Sequence, residues 1–269
     1  MNFELQGKVA VITGAGGVIC GVMARELAGQ GVKVALLDIM EEQAQAVADD
    51  ICRSGGEAIA CKANVLDPDS LALARDKVVE RFGTVDILIN GAGGNKKQAT
   101  TSPELSFFEL EPDAIRWVFD LNVTGAVLTT QAFGKELVRN GKGNVINIAS
   151  MASYLPLTNT VAYSGAKAAV ANFTQWMAVH FNQNYSREIR VNAIAPGFLL
   201  TQQNRFLLTN EDGSATERGQ KVIAKTPMGR YGQPEELCGA VMWLCSEAAS
   251  FVNGAVIPVD GGFAAYWGV

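Results

Sequence analysis

The sequence predicts a doubly wound α/β domain: one parallel sheet of seven strands with helices on both faces. Three observations predict it. Short β-branched apolar runs alternate with helical-period segments along the whole 269-residue chain. Several of those runs are apolar at nearly every position, the pattern of strands buried on two faces. The first run stops at a glycine cluster that opens directly into a helix. No Pro/Ser-rich linker, low-complexity segment or internal repeat divides the chain, so residues 1–269 read as one domain.

The first strand is Lys8-Val9-Ala10-Val11-Ile12-Thr13, which ends at the cluster Gly14 to Gly17. Ile19, Met23 and Leu27 then recur near helical spacing until Gly29-Gln30-Gly31, where a left-handed glycine can end a helix. Residues 33–38 form the second strand, followed by a helix over 41–53, a strand over 58–63, a helix over 69–82 and a strand over 86–90. The second half carries a long helix over 112–139, a strand over 144–149, a helix over 162–181 and a strand over 190–195. Pro234-Glu235-Glu236 opens a helix with proline in its first turn, and 255–259 supplies the last strand. Two irregular stretches, 94–111 and 196–219, follow the carboxyl ends of strands, where open α/β sheets bind ligands. They are candidate walls of a substrate site; the alternative is a pair of ordinary surface loops.

Composition narrows the function. The 22 Lys+Arg against 27 Asp+Glu give a formal charge of -5, which argues against nucleic acid as a partner, since phosphate binding needs a cationic face. Five cysteines, with no C-x-x-C pair and a single histidine, His180, offer no zinc site and read as free thiols in a reducing compartment. No basic leader precedes an apolar stretch, and no segment approaches the roughly 20 apolar residues that span a bilayer. The expectation is a cytoplasmic protein with no membrane partner and no metal.

In Thr13-Gly14-Ala15-Gly16-Gly17-Val18-Ile19-Cys20-Gly21, glycines bring the backbone close to a bound phosphate, and the helix amides and dipole favour the anion. This is the first βα turn of a Rossmann-like, dinucleotide-binding unit, although glycine clusters also make tight turns without ligands. Asp38 closes the second strand, 24 residues after Gly14. A carboxylate there accepts from ribose hydroxyls and repels a 2′-phosphate, which favours NAD over NADP. It could also cap the following helix, and the two roles can coexist.

Tyr163 and Lys167 stand four residues apart on one face of a predicted helix. A phenol of pKa about 10 is a poor proton donor and acceptor at neutral pH, and a neighbouring cation lowers that value. Ser150 ends the preceding strand, 13 residues earlier, where its hydroxyl could hold a substrate oxygen or simply cap a helix. Asn122 lies inside the long helix, where asparagine is a mediocre helix former and can bond locally.

Taken together these residues resemble the short-chain dehydrogenase/reductase family over almost the whole chain. The glycine turn, with Gly14, Gly16, Gly17 and Ile19, resembles the family's diphosphate site. Asn90-Gly91-Ala92-Gly93 resembles its N-A-G segment, and Asn64-Val65 stands where relatives often have Asp-Val beside adenine. The resemblance implies that Tyr163 is the general acid/base and Ser150 orients the substrate oxygen. It also implies that Lys167 lowers the tyrosine pKa while bonding the nicotinamide ribose, and that Asn122 holds a relay water. Pro196, Gly197 and Thr201 match the segment that bonds the nicotinamide carboxamide, and Ala92, Gly93 and Asn90 the segment beside the cofactor. Relatives carry glycine where this chain has Val18 and Cys20, so the turn must sit differently or send those side chains into the core. The family is usually tetrameric through two long helices and the C-terminal strand.

Within the family the chain resembles a branch of reductases that interconvert D-mannonate and D-fructuronate, through Gly94-Asn95, Asn172–Trp176, Thr226–Arg230 and Gly261–Tyr266. A sugar acid needs a cation for its carboxylate and polar groups for its hydroxyls. Asn95, Lys96 and Lys97 on one candidate wall, and Gln203, Asn204 and Arg205 on the other, are the sequence candidates. The competing readings are a related reductase of gluconate-like acids, polyols or 3-oxoacyl thioesters, and a non-catalytic NAD-binding scaffold.

Overall fold

The computed structural model describes residues 3–201 and 205–268. Seven strands form one fully parallel sheet in the order β3-β2-β1-β4-β5-β6-β7: β1 Val9–Thr13, β2 Lys33–Asp38, β3 Ala58–Lys62, β4 Ile87–Asn90, β5 Lys142–Ile148, β6 Glu188–Pro196 and β7 Val256–Val259. Every residue of β1 and β4 is buried, because helices cover both faces of the sheet. One core layer lies under α1 (Val18–Gly29), α2 (Glu41–Arg53) and α9 (Cys238–Cys245). The other lies under α3 (Pro68–Phe82), α5 (Gly125–Asn140) and α6 (Val161–Asn184).

Two elements depart from the sequence reading. The long helix expected over 112–139 is three consecutive pieces: α4 (Pro112–Phe119), a π-helical turn over Asp120–Thr124, and α5. The wider turn surrounds Asn122, whose Nδ2 donates to the Val118 carbonyl at 2.8 Å, so the side chain bonds to the helix backbone. The stretch expected to be irregular over 196–219 contains α7 (Arg205–Leu208) and the start of α8 (Glu217–Lys225). Asn, Thr and Gly disguised the second helix, but its capping logic is plain: the Thr216 hydroxyl accepts from the Gly219 amide, Glu217 sits in the first turn and Lys225 in the last.

Asn90, which the resemblance sets beside a cofactor, is part of a buried polar chain. Its Nδ2 donates to Thr130 Oγ1 (3.0 Å) and Asn147 Oδ1 (2.8 Å), and Asn147 in turn donates to Thr174 Oγ1 (2.8 Å). These bonds tie β4 and β5 to α5 and α6 just beneath the sheet's carboxyl edge, which makes the platform for the site stiff.

The cysteines are all thiols, and burial pushes Cys20, Cys238 and Cys245 up to about 12 from 9.0. The folded chain therefore keeps protons that the unfolded chain releases from about pH 9 upward, so their contribution to stability falls between pH 9 and 12. Burial acts oppositely on Lys167, whose ammonium is pushed down to about 8, and this adds stability as pH rises from about 8 to 10.5. Three thiols outweigh one lysine. The urea midpoint is expected to fall between pH 9 and 10.5, and a rising midpoint there would contradict the buried thiols.

Candidate active site

A cleft of about 670 Å³ runs along the carboxyl ends of the strands, a volume typical of small-molecule and cofactor sites. It opens where the chain leaves β1 toward β2 and β4 toward β5, the switch point at which open α/β sheets bind ligands. Gly14, Gly17 and Ile19 line it from the first turn, Asp38 from the end of β2, and Asn64 and Val65 after β3. Ala92 and Gly93 after β4, Ser150 after β5 and Pro196, Gly197 and Thr201 after β6 complete the wall. Gly16 is not part of that lining but donates its amide to Asp38, which is.

Close approach of two backbones builds the glycine-rich end of the cleft. Gly14 is left-handed (φ 66°), and a Cβ there would lie 3.0 Å from the Ala92 backbone. Thr13 Oγ1 accepts from the amides of Gly91 (3.1 Å) and Ala92 (3.2 Å), holding the two turns together. Helix α1 starts at Val18 with no side-chain cap from Gly17, so its dipole and first amides are available to an anion. Of the two positions where the resemblance leads one to expect glycine, Val18 and Cys20 both border the cleft, and Cys20 is buried in the core as well. The Cys20 sulfur fills the space above Gly91, where an added Cβ would come within 2.1 Å of it. The bulk at Cys20 is thus accommodated by the missing side chain at Gly91, and the cradle keeps its shape.

Asp38 does not cap α2, whose N-cap is Met40 without a side-chain bond, but its carboxylate is held by two main-chain amides. Oδ2 accepts from the Gly16 amide (3.0 Å) and Oδ1 from the Met40 amide (2.9 Å), so one carboxylate fixes the glycine turn and the approach to α2. A carboxylate has about four acceptor sites, and Asp38, which lines the cleft, uses two of them on these amides. Asn64 makes a similar turn: its Oδ1 accepts from the Leu66 amide (3.1 Å), leading into α3.

Ser150, Tyr163 and Lys167 meet on the cleft wall. Ser150 is the extended residue before a short helical turn, and its hydroxyl accepts from the Ala152 amide at 3.2 Å. Lys167 is buried and donates to the Ile148 carbonyl (2.8 Å), with its ammonium 5.7 Å from the centre of the Tyr163 ring. The spacing predicts a phenol lowered by that cation. In the structure burial is the larger influence and pushes Tyr163 above its usual 10, with a hydrogen bond to the Ser150 hydroxyl pulling the other way. Tyr163 is therefore protonated at neutral pH, poised to donate. Asn122 stands behind the wall. Its Nδ2 is filled by the Gly94 and Val118 carbonyls (2.7 and 2.8 Å), and its Oδ1 accepts from the Gly94 amide (3.3 Å). A Cβ on Gly93 would sit 2.7 Å from that Oδ1 and 3.3 Å from Lys167 Nζ, so both converge on Gly93.

The substrate candidates fare unevenly. Asn95 lines the cleft and donates to Thr100 Oγ1 (2.9 Å). Lys96 instead lies over the Trp117 ring, 4.4 Å from its centre, and neither it, Lys97 nor Arg205 belongs to the lining. Gln203 and Asn204 lie outside the described residues. Sequence reasoning missed Arg218, Leu157, Thr160 and Met151, all of which line the cleft. Arg218 falls within the stretch the sequence singled out, and recognising the cap at Thr216 would have placed it in the first turn of a helix. Among the described residues no His/Cys/Asp/Glu cluster could hold a metal, and no helix is long and apolar enough to cross a membrane.

This fold is shared with known oxidoreductases. The family model described as enoyl-(acyl carrier protein) reductase matches residues 14–264. The chain is 51% identical to UxuB of Bacillus subtilis, an uncharacterised oxidoreductase, over 100% of this chain and 99% of that one. The 7α-hydroxysteroid dehydrogenase of Escherichia coli is 35% identical, with 97% and 96% covered. A crystal structure from Haemophilus influenzae, of a protein proposed to be a D-mannonate oxidoreductase and holding NAD, superposes with a TM-score of 0.94 at 49% identity, covering 100% of this chain and 99% of that one. The protein belongs to the short-chain dehydrogenase/reductase family and is an oxidoreductase of that class.

Proposed function

We propose that the protein interconverts a hydroxyl and a ketone on a sugar acid, with D-mannonate and D-fructuronate as the pair and NAD(H) as cofactor. The observation that carries this reading is the convergence of Ser150, Tyr163 and Lys167 on the same cleft as the glycine turn and Asp38. The NAD held by the Haemophilus influenzae neighbour and the sugar acid in that protein's proposed name support it.

Gly14, Gly16, Gly17 and Ile19 with the α1 amides would hold the diphosphate, and Asp38 the adenosine ribose. Asn64 and Val65 would flank the adenine. Ala92, Gly93, Pro196, Gly197 and Thr201 would hold the nicotinamide half, with Asn90 stiffening the strand behind them. The bound nicotinamide supplies or accepts the hydride. In ketone reduction Ser150 orients the carbonyl oxygen, and Tyr163 gives its proton to that oxygen as charge develops there. The Lys167 ammonium would stabilise the resulting phenolate and would hold the nicotinamide ribose of the bound cofactor. Nδ2 of Asn122 is used by the protein, so the Oδ1 lone pair is the group left to hold a water that restores the proton. Alcohol oxidation runs through the same atoms in reverse.

Residues 1–269 act as one domain in this reading, with 94–111 and 196–219 as walls of the substrate site. A homotetramer in the cytoplasm fits the exposed apolar residues Trp176 and Val179 on α6 and Trp267 near the C-terminus, which an interface would cover. The test is loss of NADH absorbance with D-fructuronate, run beside NADPH and beside fructose and 5-ketogluconate. Turnover of fructuronate with NADH well above the others is expected; equal turnover of fructose would remove the sugar acid from the reading.

A further inference from the structure

Among the described residues that line the cleft, three carry charge: Asp38, Lys167 and Arg218. Asp38 ends β2, and Arg218 stands on α8, in the segment that follows β6; β2 and β6 themselves are four strand spacings apart in the sheet. Lys167 is buried and bonded to a main-chain carbonyl. Arg218 is thus the exposed cation among the described residues lining the cleft that Ser150 and Tyr163 also line.

Its surroundings leave it available. Glu217 is paired with Lys221 (2.6 Å), and Glu236 is held by both guanidinium nitrogens of Arg230 (2.8 and 2.7 Å). Among the described residues none pairs with or bonds to Arg218. Its backbone, in contrast, is pinned. The next residue, Gly219, donates to Thr216 Oγ1 and is packed so tightly that a Cβ would come within 2.2 Å of the Leu208 carbonyl and 2.3 Å of the Tyr231 hydroxyl. Helix stability does not account for a cation here either, since the first turn of α8 already carries the positive end of the helix dipole.

We infer that Arg218 is the specificity-determining residue that binds the substrate carboxylate, in place of the Arg205, Lys96 or Lys97 suggested by the sequence. This rests on the sugar-acid reading above. A guanidinium fork on a fixed helical turn matches a carboxylate with two parallel hydrogen bonds.

Arg218→Gln and Arg218→Lys test it, with Lys97→Gln, which lies outside the lining, as the charge control. D-Mannonate binding to the NADH-loaded protein is measured by calorimetry, NADH binding separately, and KM and kcat with D-fructuronate and with fructose. The expected result is a rise of at least about tenfold in Kd for mannonate and KM for fructuronate in Arg218→Gln. Saturated kcat, NADH affinity and any fructose activity should stay within about threefold, and Arg218→Lys should recover part of the loss. Sugar-acid constants within twofold of the unsubstituted chain, an equal loss in Lys97→Gln, or weakened NADH binding in place of mannonate binding would overturn the assignment. If the unsubstituted protein turns over fructuronate and Arg218→Gln is indifferent, this inference fails and the sugar-acid reading stands. If the unsubstituted protein neither binds nor turns over sugar acids, both fail.

Discussion

Tyr163→Phe is expected to lower turnover by about 10²–10⁴-fold, the range that a positioned proton donor contributes, while NADH binds nearly as well as before. The substitution removes one hydroxyl and keeps the ring packed on α6, so folding is little affected. The sign of the pH dependence follows from the phenol's position above its usual value. In the reducing direction the protonated form is the active one and is present throughout the neutral range. In the oxidising direction Tyr163 must first lose its proton, so the rate of alcohol oxidation is expected to climb with pH from 7 to about 8 and to level off as Lys167 loses the charge that stabilises the phenolate. Ketone reduction is expected to decline above about pH 8, as Lys167 gives up its charge. Stopped-flow single turnovers in both directions check this, and residual Tyr163→Phe oxidation that kept the same pH slope would assign the proton to another group.

Asp38→Ser is expected to raise the KM for NADH by about 10–100-fold, since hydrogen bonds to a charged acceptor are worth about 1.5–3 kcal/mol. The same change removes a negative charge from the place where a 2′-phosphate would sit. Like charges 4 Å apart repel by about 1 kcal/mol in bulk water and about 4 kcal/mol at an effective dielectric of 20, and a partly exposed carboxylate lies between. The preference for NADH over NADPH is therefore expected to shrink by about a hundredfold. Because Asp38 also accepts from the Gly16 and Met40 amides, a modest drop in melting temperature should accompany the change. Thermal denaturation and KM values for both cofactors separate the two effects; an unchanged cofactor ratio with lowered stability would leave Asp38 a purely structural residue.

Periodicity alone made much of this legible. The strands are apolar at nearly every position because both faces are covered, and the glycines after β1 mark a turn that side chains would block. The order of Asn122, Ser150, Tyr163 and Lys167 along the chain then pointed to one end of the sheet, since carboxyl ends of parallel strands all face the same way. That part of the site could be read because each signal is local in sequence: a strand end, a turn, a four-residue helical spacing.

What the sequence could not state is which side chains are free. Asn90 matched a cofactor segment, yet the β4–β5 register puts Asn147 beside it and makes it a core hydrogen-bond donor. Cys20 looked like an obstruction until Gly91, 71 positions away, proved to leave room for its sulfur. Lys96 carries the charge a sugar acid needs but lies over Trp117, while Arg218 reaches the cleft from a helix hidden in a polar stretch. Local pattern determined the sheet, the cradle and the catalytic order. Packing between distant segments decided the direction of the tyrosine's pKa and which exposed cation lines the cleft, because desolvation and pairing depend on neighbours that only the folded chain supplies.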